Sequence, residues 1–401
     1  MILCSLSTGT TTAQTLDALE SFMQSAVDDD VVVGCAAMVT RDGRTVFMQA
    51  FGDLDLEGSR SMRTDEIVQI YSMTKAITSA AAMVMAEEGK LRLDDPVTMY
   101  IPEFADIKVA QWPEGVARVP ENMQLVPTRR PITIRDLILH TSGLGYTFSV
   151  EPGLQPAYSS PWETAADLET AIRGVANIPL AHQPGTRFNY GINTDVLGRV
   201  VEVAADMPFE EVLQTRIFDP LKMTETSFAR PPADRYMPIV KRNPENGRLE
   251  KTKQSLDRYE RPANPALALG GQGLHSTLND YTRFCRMILE GGELDGERVL
   301  SEGTVEFMGR NHLGPGIETT GNRFGMGFGL QDPVETSRGP RGGDRLVWGG
   351  AASTFFFIDP DQDLTAVFFT QQFPFNGKLG EQFHQAVLES VAVEFPSVSN
   401  N

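Results

Sequence analysis

The stretch YSMTKAITSAAAMVMAEEG, residues 71–89, decides the fold. It predicts a helix that is apolar on every side, and such a helix lies buried inside its domain. Gly89 is a typical residue to end it. Lys75 stands in this apolar run, where a lysine costs free energy unless something compensates its burial. The question raised by the stretch is therefore what Lys75 does there.

Ser72 stands three residues before Lys75, and residues at this spacing lie on one face of a helix. Free N–H groups at a helix start stabilise a developing alkoxide. Burial disfavours the charged form of an amine, and a neutral amine can accept the serine proton. Ser-x-x-Lys alone arises about once by chance in a chain of this length, and a helix-capping serine beside a solvent-seeking lysine is the alternative. The apolar helix favours a nucleophile and its base.

The composition of the 401-residue chain excludes several other functions. Lys and Arg total 35 against 53 Asp and Glu, a net charge of −18, which disfavours nucleic-acid and anionic-membrane partners. Three cysteines form no disulfide framework and suit a reducing compartment. No His/Cys cluster has zinc-ligand spacing, and no apolar run is long enough to span a membrane. The first residues, MILCSLSTGTTTAQ, show neither the basic n-region nor the apolar h-region of a signal peptide, so we expect none. We expect a cytoplasmic protein without metal or cofactor, and its oligomeric state stays open.

Strand patterns at both ends of the chain enclose a helical middle. Residues 31–52 predict two strands around an Asp42-Gly43 turn, because Asp-Gly between β-branched runs is a hairpin signal. Residues 344–372 predict three more strands, and 378–394 a closing helix. Hairpin connections imply an antiparallel sheet. The predicted fold class is α+β, with one sheet built from both termini and flanked by helices.

The predicted domains are a sheet domain of residues 1–92 and 266–401 and an inserted, mostly helical domain of residues 93–265. Helical patterns at 132–140 and 193–205 alternate there with loops rich in Pro and Gly. Asp195, in the first turn of the second pattern, is interpreted as structural, because an acidic residue is favoured there. Residues 231–265, polar and rich in proline, predict a surface excursion or a lid.

Five motifs, in order, resemble the serine β-lactamase/penicillin-binding-protein superfamily, in particular its class C-like esterase branch, the family VIII carboxylesterases. They are YSMTKAIT, LILHTSGLGY, PGTRFNYGINTDVLGRVVE, GGQGLHSTLNDYTRFCRMILEGG and VWGGAASTFFFIDP. The resemblance runs from about residue 20 to 390. It implies the β-lactamase/penicillin-binding-protein fold and an acyl-enzyme mechanism.

The second motif of that family is Tyr-x-Asn, which stands here as Tyr190-Gly191-Ile192. The resemblance implies that Tyr190 is a general acid or base near Ser72 and shares proton transfer with Lys75. Ile192 replaces an amide that can hydrogen-bond a substrate, and it is itself a substrate-binding candidate, as are Trp348, Gly349 and Gly350 of the third motif. Tyr146 lies six residues after His140, in the loop that borders the active site in this family, which makes it a substrate-contact candidate. His140 is predicted to fix that loop.

The third motif, Lys-Thr-Gly in β-lactamases, stands here as Trp348-Gly349-Gly350 on a predicted edge strand. It brings no positive charge for a β-lactam carboxylate, so neutral esters should suit the site better. The glycines let the strand approach a substrate closely. The resemblance implies an oxyanion hole from the N–H groups of Ser72 and Ala351.

The sequence thus predicts a carboxylesterase of short-chain or aromatic esters that acts through an acyl-enzyme on Ser72. A β-lactamase, a D-amino-acid peptidase or an acyltransferase with the same acyl-enzyme is the alternative. A non-catalytic binding protein on this fold would require a broken triad, whereas Ser72, Lys75 and Tyr190 are all present.

Overall fold

The structure, a computed structural model, describes residues 16–159, 165–252, 267–317, 319, 323–332 and 344–394. Cys4, the N-terminus and residues 253–265 of the predicted surface excursion lie outside the described residues. The rest of that excursion carries two short paired strands.

The helices are α1 (Asp17–Asp28), α2 (Thr74–Glu87), α3 (Ile134–Ile138), α4 (Gln155–Tyr158), α5 (Leu168–Val175), α6 (Asn193–Ala205), α7 (Phe209–Leu213), α8 (Asp219–Leu221), α9 (Leu278–Leu289), α10 (Glu302–Met308) and α11 (Gly377–Glu394). The strands are β1 (Gly34–Arg41), β2 (Arg44–Gly52), β3 (Val68–Gln69), β4 (Lys108–Gln111), β5 (Gln124–Pro127), β6 (Val240–Arg242), β7 (Leu249–Lys251), β8 (His275–Ser276), β9 (Glu293–Leu294), β10 (Glu297–Arg298), β11 (Gly329–Gln331), β12 (Arg345–Gly350), β13 (Thr354–Asp359), β14 (Leu364–Phe369) and β15 (Gln372–Phe373).

A six-stranded sheet joins both ends of the chain in the order β11-β12-β13-β14-β1-β2. Every neighbouring pair is antiparallel, including β1 with β14, which are more than 300 residues apart. Asp42 and Gly43 both have positive φ, 49° and 71°, the conformation that a two-residue hairpin turn favours. The predicted α+β class and the antiparallel sheet built from both termini are confirmed.

Helices cover both faces of this sheet, so its central strands are buried throughout. On β1, Cys35 and Ala37 face the cluster of α1 and α11, whereas Ala36 and Met38 face the larger cluster that contains α2. This alternation follows from the two-residue period of a strand. It explains why strands of an antiparallel sheet read here as continuous apolar runs.

The strand that carries Trp348-Gly349-Gly350 was predicted to lie at the sheet edge, and this is wrong: β12 is the second strand. The short strand β11 pairs outside it, opposite residues 345–347. The pairing ends before Trp348, so among the described residues the half of β12 that holds the motif has no ladder partner on that side. A three-residue strand gave too weak a periodicity to be predicted.

Helix α2 lies in the centre of the molecule and is buried from Thr74 to Met85. The predicted end of the helix is confirmed, because Gly89 follows it with φ 71°. Its main helical neighbour is α6, whose bounds match the predicted 193–205. Within the described ranges, no helix is both long and apolar enough to cross a membrane.

Candidate active site

Ser72 lies in a single 3-10 turn, Tyr71–Met73, immediately before α2 begins. The turn is held from two sides: the buried Tyr71 side chain packs with Ile239 and Ala352, and the Tyr281 hydroxyl donates to the Met73 carbonyl at 3.0 Å. Tyr71 has φ 44°, a left-handed conformation that costs a non-glycine residue about 1–3 kcal/mol. Such strain is typical of a residue that aims a functional neighbour.

Lys75, in the first turn of α2, contacts three oxygen atoms. Its Nζ lies 3.2 Å from Ser72 Oγ, 3.1 Å from the Tyr146 hydroxyl and 2.7 Å from the Gly271 carbonyl oxygen. The residue is 2 % exposed. The structure therefore brings the predicted serine and lysine into hydrogen-bond distance and adds two partners from distant parts of the chain.

Two tyrosines flank the amine in different ways. The Tyr190 ring centroid lies 4.8 Å from Lys75 Nζ, and the Tyr146 and Tyr190 centroids are 5.5 Å apart. Tyr146 contacts the amine through its hydroxyl as well as its ring, whose centroid is 5.3 Å away, whereas the contact of Tyr190 is through the ring face, an arrangement that attracts a cation. Tyr190 as acid or base and Tyr146 as substrate contact stay predictions, and Tyr146 gains a direct bond to the lysine.

Glycines bring the two tyrosine loops together. A Cβ on Gly191 would lie 2.4 Å from the Gly145 Cα, so neither backbone could approach the other with a side chain between them. Real Cβ contacts are longer, and glycine is the residue that permits such an approach. The sequence placed both glycines next to the tyrosines, but spacing alone did not show that the two loops touch.

His140 and Asn193 hold the two loops that carry Tyr146 and Tyr190 through hydrogen bonds. The His140 Nδ1 accepts from the Gly191 N–H at 3.3 Å and lies 3.0 Å from Asn193 Nδ2, which also donates to the Leu144 carbonyl at 3.3 Å. Burial, helped by the positive charge that Lys75 carries when protonated, holds the pKa of His140 well below its usual 6.5, which suits a neutral acceptor. These contacts agree with the loop-fixing interpretation of His140.

Ile192 is 1 % exposed and packs in the main core. Its predicted role as a substrate-binding residue is therefore not favoured by its burial, because a core side chain offers a ligand little surface. The family motif has an amide side chain at this position. In this chain an amide occurs one residue later, at Asn193, where it hydrogen-bonds the loop of Leu144.

The Trp348-Gly349-Gly350 motif borders the tyrosines. The Trp348 ring lies 5.4 Å from Tyr190 and 5.3 Å from Phe324. A Cβ on Gly350 would lie 2.4 Å from the Ile70 carbonyl oxygen, two residues before Ser72. The backbone that leads into Ala351 thus runs beside the backbone that leads into Ser72. An oxyanion hole made by their N–H groups stays a prediction.

Two neighbours of the site were missed by sequence reasoning. Phe148 stacks on Tyr146 at 5.4 Å between centroids and is 75 % exposed. Gly271 supplies the shortest contact of Lys75. The paired glycines at 270–271 were the available signal for the second, since adjacent glycines often mark a close backbone approach; nothing in the sequence distinguished Phe148 from other loop aromatics.

A Ser-x-x-Lys pair at the start of a buried helix, beside an antiparallel sheet drawn from both termini, defines a protein of the serine β-lactamase fold. Comparison with known proteins agrees with this class. The chain belongs to the Beta-lactamase family, which matches residues 19–389.

Three similar proteins indicate the range of the family. Protein Rv1367c of Mycobacterium tuberculosis is 34 % identical over 375 residues, covering 90 % of both chains. Esterase EstB of Burkholderia gladioli is 28 % identical over 388 residues, covering 90 % of this chain and 92 % of its own. The structure of EstCE1, a hydrolase with promiscuous acyltransferase activity, has a TM-score of 0.77 at 25 % identity and covers 94 % of this chain and 99 % of its own. The relatives support serine hydrolase chemistry for this fold.

Proposed function

We propose that this protein hydrolyses carboxylic esters through a covalent acyl-enzyme on Ser72. One observation carries the proposal: the Nζ of a buried lysine lies 3.2 Å from the Ser72 hydroxyl oxygen. A hydroxyl with a base at this distance is the arrangement that activates a serine nucleophile. The esterase among the relatives supports the same reaction.

In the proposed reaction, Ser72 Oγ attacks the ester carbonyl carbon while its proton passes to Lys75. The N–H groups of Ser72 and Ala351 receive the carbonyl oxygen as it becomes negative, and such donors contribute about 2.7–4 kcal/mol each. Tyr190 relays the proton to the leaving alcohol. Water then attacks the acyl-enzyme, again with Lys75 and Tyr190 moving the proton, and releases the acid.

The proposed substrates are neutral esters with a short or aromatic acyl group. Tyr146 and Tyr190 beside the lysine and Trp348 against Tyr190 offer no positive charge to a substrate carboxylate, and Trp348-Gly349-Gly350 replaces the cationic motif of β-lactamases. This replacement disfavours the alternatives of a β-lactamase and a D-amino-acid peptidase, both of which bind a carboxylate. We therefore favour an esterase. The sparse cysteines suit a reducing compartment, and on that ground we propose that it is cytoplasmic.

Acyl transfer is the second candidate. EstCE1 is described as a hydrolase with promiscuous acyltransferase activity, and an alcohol can compete with water for one acyl-enzyme. Reaction of p-nitrophenyl butyrate with an added primary alcohol separates the two: a new ester among the products indicates transfer, and butyrate alone indicates hydrolysis.

The deciding experiment compares Ser72→Ala with Ser79→Ala. Ser79 is a fully buried serine on the same helix, so it controls for the loss of a hydroxyl. We expect Ser72→Ala to lower kcat for p-nitrophenyl butyrate by at least about 10⁴-fold, because the nucleophile is lost. Ser79→Ala should keep both the activity and fluorophosphonate labelling. Hydrolysis retained in a pure Ser72→Ala preparation would refute the proposal.

Substrate class is tested by a chain-length series of p-nitrophenyl esters beside a chromogenic cephalosporin. We expect the highest kcat/KM on short or aromatic esters and little turnover of the cephalosporin. Faster cleavage of the cephalosporin would transfer the assignment to the β-lactamase alternative.

A further inference from the structure

Asp195 is a fully buried carboxylate in the first turn of α6. One oxygen, Oδ1, accepts from the Gly271 N–H at 2.9 Å, and Oδ2 has no hydrogen-bond partner within the described part of the chain. An ionised oxygen left without a partner in the interior is costly. A negative charge is favoured in the first turn of a helix, but this does not account for the contact of the carboxylate with Gly271.

Gly271 connects Asp195 to the active-site lysine. Its N–H is held by Asp195, and its carbonyl oxygen accepts from Lys75 Nζ at 2.7 Å. The preceding carbonyl, that of Gly270, accepts from Thr78 Oγ1 at 2.7 Å. A Cβ at position 271 would lie 2.5 Å from Asp195 Oδ2. The two glycines are therefore clamped between α2 and α6, with the carboxylate directly against them.

Lys75 is also the charged group that acts on the pKa of Asp195. Burial raises the pKa of Asp195 to about 6, and the positive charge that Lys75 carries when protonated opposes this rise. The charged groups on α3 are Asp136, which is paired with Arg130, and Arg135, which is paired with Asp94. The buried neutral His140 follows that helix. The charged groups on the remaining neighbours of α6 are at or near the surface: Glu169 and Arg173, which pair with each other on α5, and Glu210 and Glu211 on α7.

We propose that Asp195 is a positioning residue for Lys75: it holds Gly271 as a fixed acceptor for the amine, and its negative charge stabilises the ammonium that forms during catalysis. The proposal rests on the proposed function, because it gives Asp195 a part in that reaction. As the Ser72 Oγ–carbon bond forms, the carbonyl electron pair moves to oxygen and the Oγ proton moves to Lys75 Nζ. The proton later leaves with the alcohol, and Asp195 stays ionised throughout. A buried carboxylate that orients a base and stabilises its cation has this effect in other serine hydrolases.

Asp195→Asn is the informative variant, because the amide keeps an oxygen for the Gly271 N–H and removes the charge. We expect kcat for p-nitrophenyl butyrate to fall about 10–100-fold at pH 8, the size typical of a partner that orients an active group. KM should stay within about twofold of the wild-type value, because Asp195 does not touch the substrate.

The pH profile gives a readout that a purely structural role would not change. The pKa of Asp195 is raised from 3.8 to about 6, so the carboxylate is ionised above pH 6 and protonated below it. Wild-type kcat/KM should therefore fall as pH falls through about 6. Asp195→Asn resembles the protonated form at every pH and should lack this acid limb, whereas Asp195→Glu, which keeps the charge, should retain one.

Asp359 offers a matched control at the far end of β13. It is also fully buried, with one oxygen accepting from the Gln362 N–H at 3.1 Å, the other unpaired within the described residues, and a pKa raised by burial. Asp359→Asn should change stability alone and leave kcat and the acid limb unaltered. An equal loss of kcat in Asp359→Asn would overturn the proposal, as would a folded Asp195→Asn protein with the wild-type pH profile.

Two measurements keep the test independent of folding and of the proposed function. If Asp195→Asn fails to fold, the rate of fluorophosphonate labelling of wild-type Ser72 still reports on the acid limb, and a flat rate between pH 5 and 8 refutes the role of Asp195. If wild-type Ser72 is not labelled at any pH, the proposed function itself has failed.

Discussion

The active site has two halves that are assembled by different means. Ser72 and Lys75 are three residues apart, and the continuous backbone from the 3-10 turn into α2 places Lys75 Nζ 3.2 Å from Ser72 Oγ. Tyr146 and Tyr190 come from loops 44 positions apart and meet the amine only because those loops pack against each other. The helical half is determined locally, whereas the tyrosine half depends on tertiary contacts.

This difference has a physical consequence for how each half responds to mutation. Lys75 lies in a helix that is buried from Thr74 to Met85, and the turn of Ser72 is held by Tyr71 and Tyr281 rather than by the tyrosine loops. The loop half is fixed by close glycine contacts and by the His140–Asn193 hydrogen bonds. Changes in the helical half should therefore affect chemistry alone, while changes in the loop half should affect chemistry and stability together.

Lys75→Met is the largest test of the helical half. Methionine fills a similar volume in the buried site but cannot accept a proton, and a general base contributes about 10²–10⁴-fold. We expect kcat for p-nitrophenyl butyrate to fall about 10³–10⁴-fold, with KM little changed. Lys90→Met, at an exposed lysine paired with Glu88 just after α2, is the control and should keep full activity. A Lys75→Met protein within tenfold of wild type would mean that the base lies in the loop half.

The two tyrosines are compared by Tyr190→Phe and Tyr146→Phe, each of which removes one hydroxyl and keeps the ring. We expect Tyr190→Phe to lower kcat about 10²–10³-fold, because proton transfer to the leaving group is lost. Tyr146→Phe removes a 3.1 Å contact with Lys75 and should cost about tenfold. Single-turnover kinetics with p-nitrophenyl butyrate measure both. The reverse order would assign proton transfer to Tyr146, whose hydroxyl is the one in contact with the amine.

The same division explains what the sequence could predict. The β1–β2 hairpin, the bounds of α6 and the Ser72–Lys75 pair all follow from residues close together in the chain, and the structure contains each of them. The antiparallel sheet built from both termini was predicted from hairpin connections and from strand patterns at both ends of the chain, but its strand order was not. Patterns of period 2 and 3.6 were sufficient here because they describe local geometry.

The tyrosine half could not be predicted in detail, because it depends on which distant backbones touch. Asp195 illustrates this limit: an acidic residue in a first helical turn was interpreted as structural, and only its contact with Gly271 connects it to Lys75. Strand β11 is a second example, since its three residues placed β12 inside the sheet rather than at its edge. In both cases the deciding partner was far away in sequence and carried no motif of its own.

Gly191→Ala tests the loop half with the smallest expected effect on chemistry. The new Cβ would lie 2.4 Å from the Gly145 Cα, so the two tyrosine loops must separate. Overpacking of this kind costs about 1–3 kcal/mol of unfolding free energy, and the displaced tyrosines should lower kcat/KM about tenfold. The control is Gly303→Ala on α10, where a Cβ meets nothing within 4 Å; it should change stability by less than about 1 kcal/mol and leave activity unaltered. Urea unfolding and ester kinetics on both variants make the comparison. If Gly191→Ala loses stability but keeps full activity, the tyrosines hold their positions without the close contact between the two loops. The tyrosine half would then depend on distant packing no more than the helical half does.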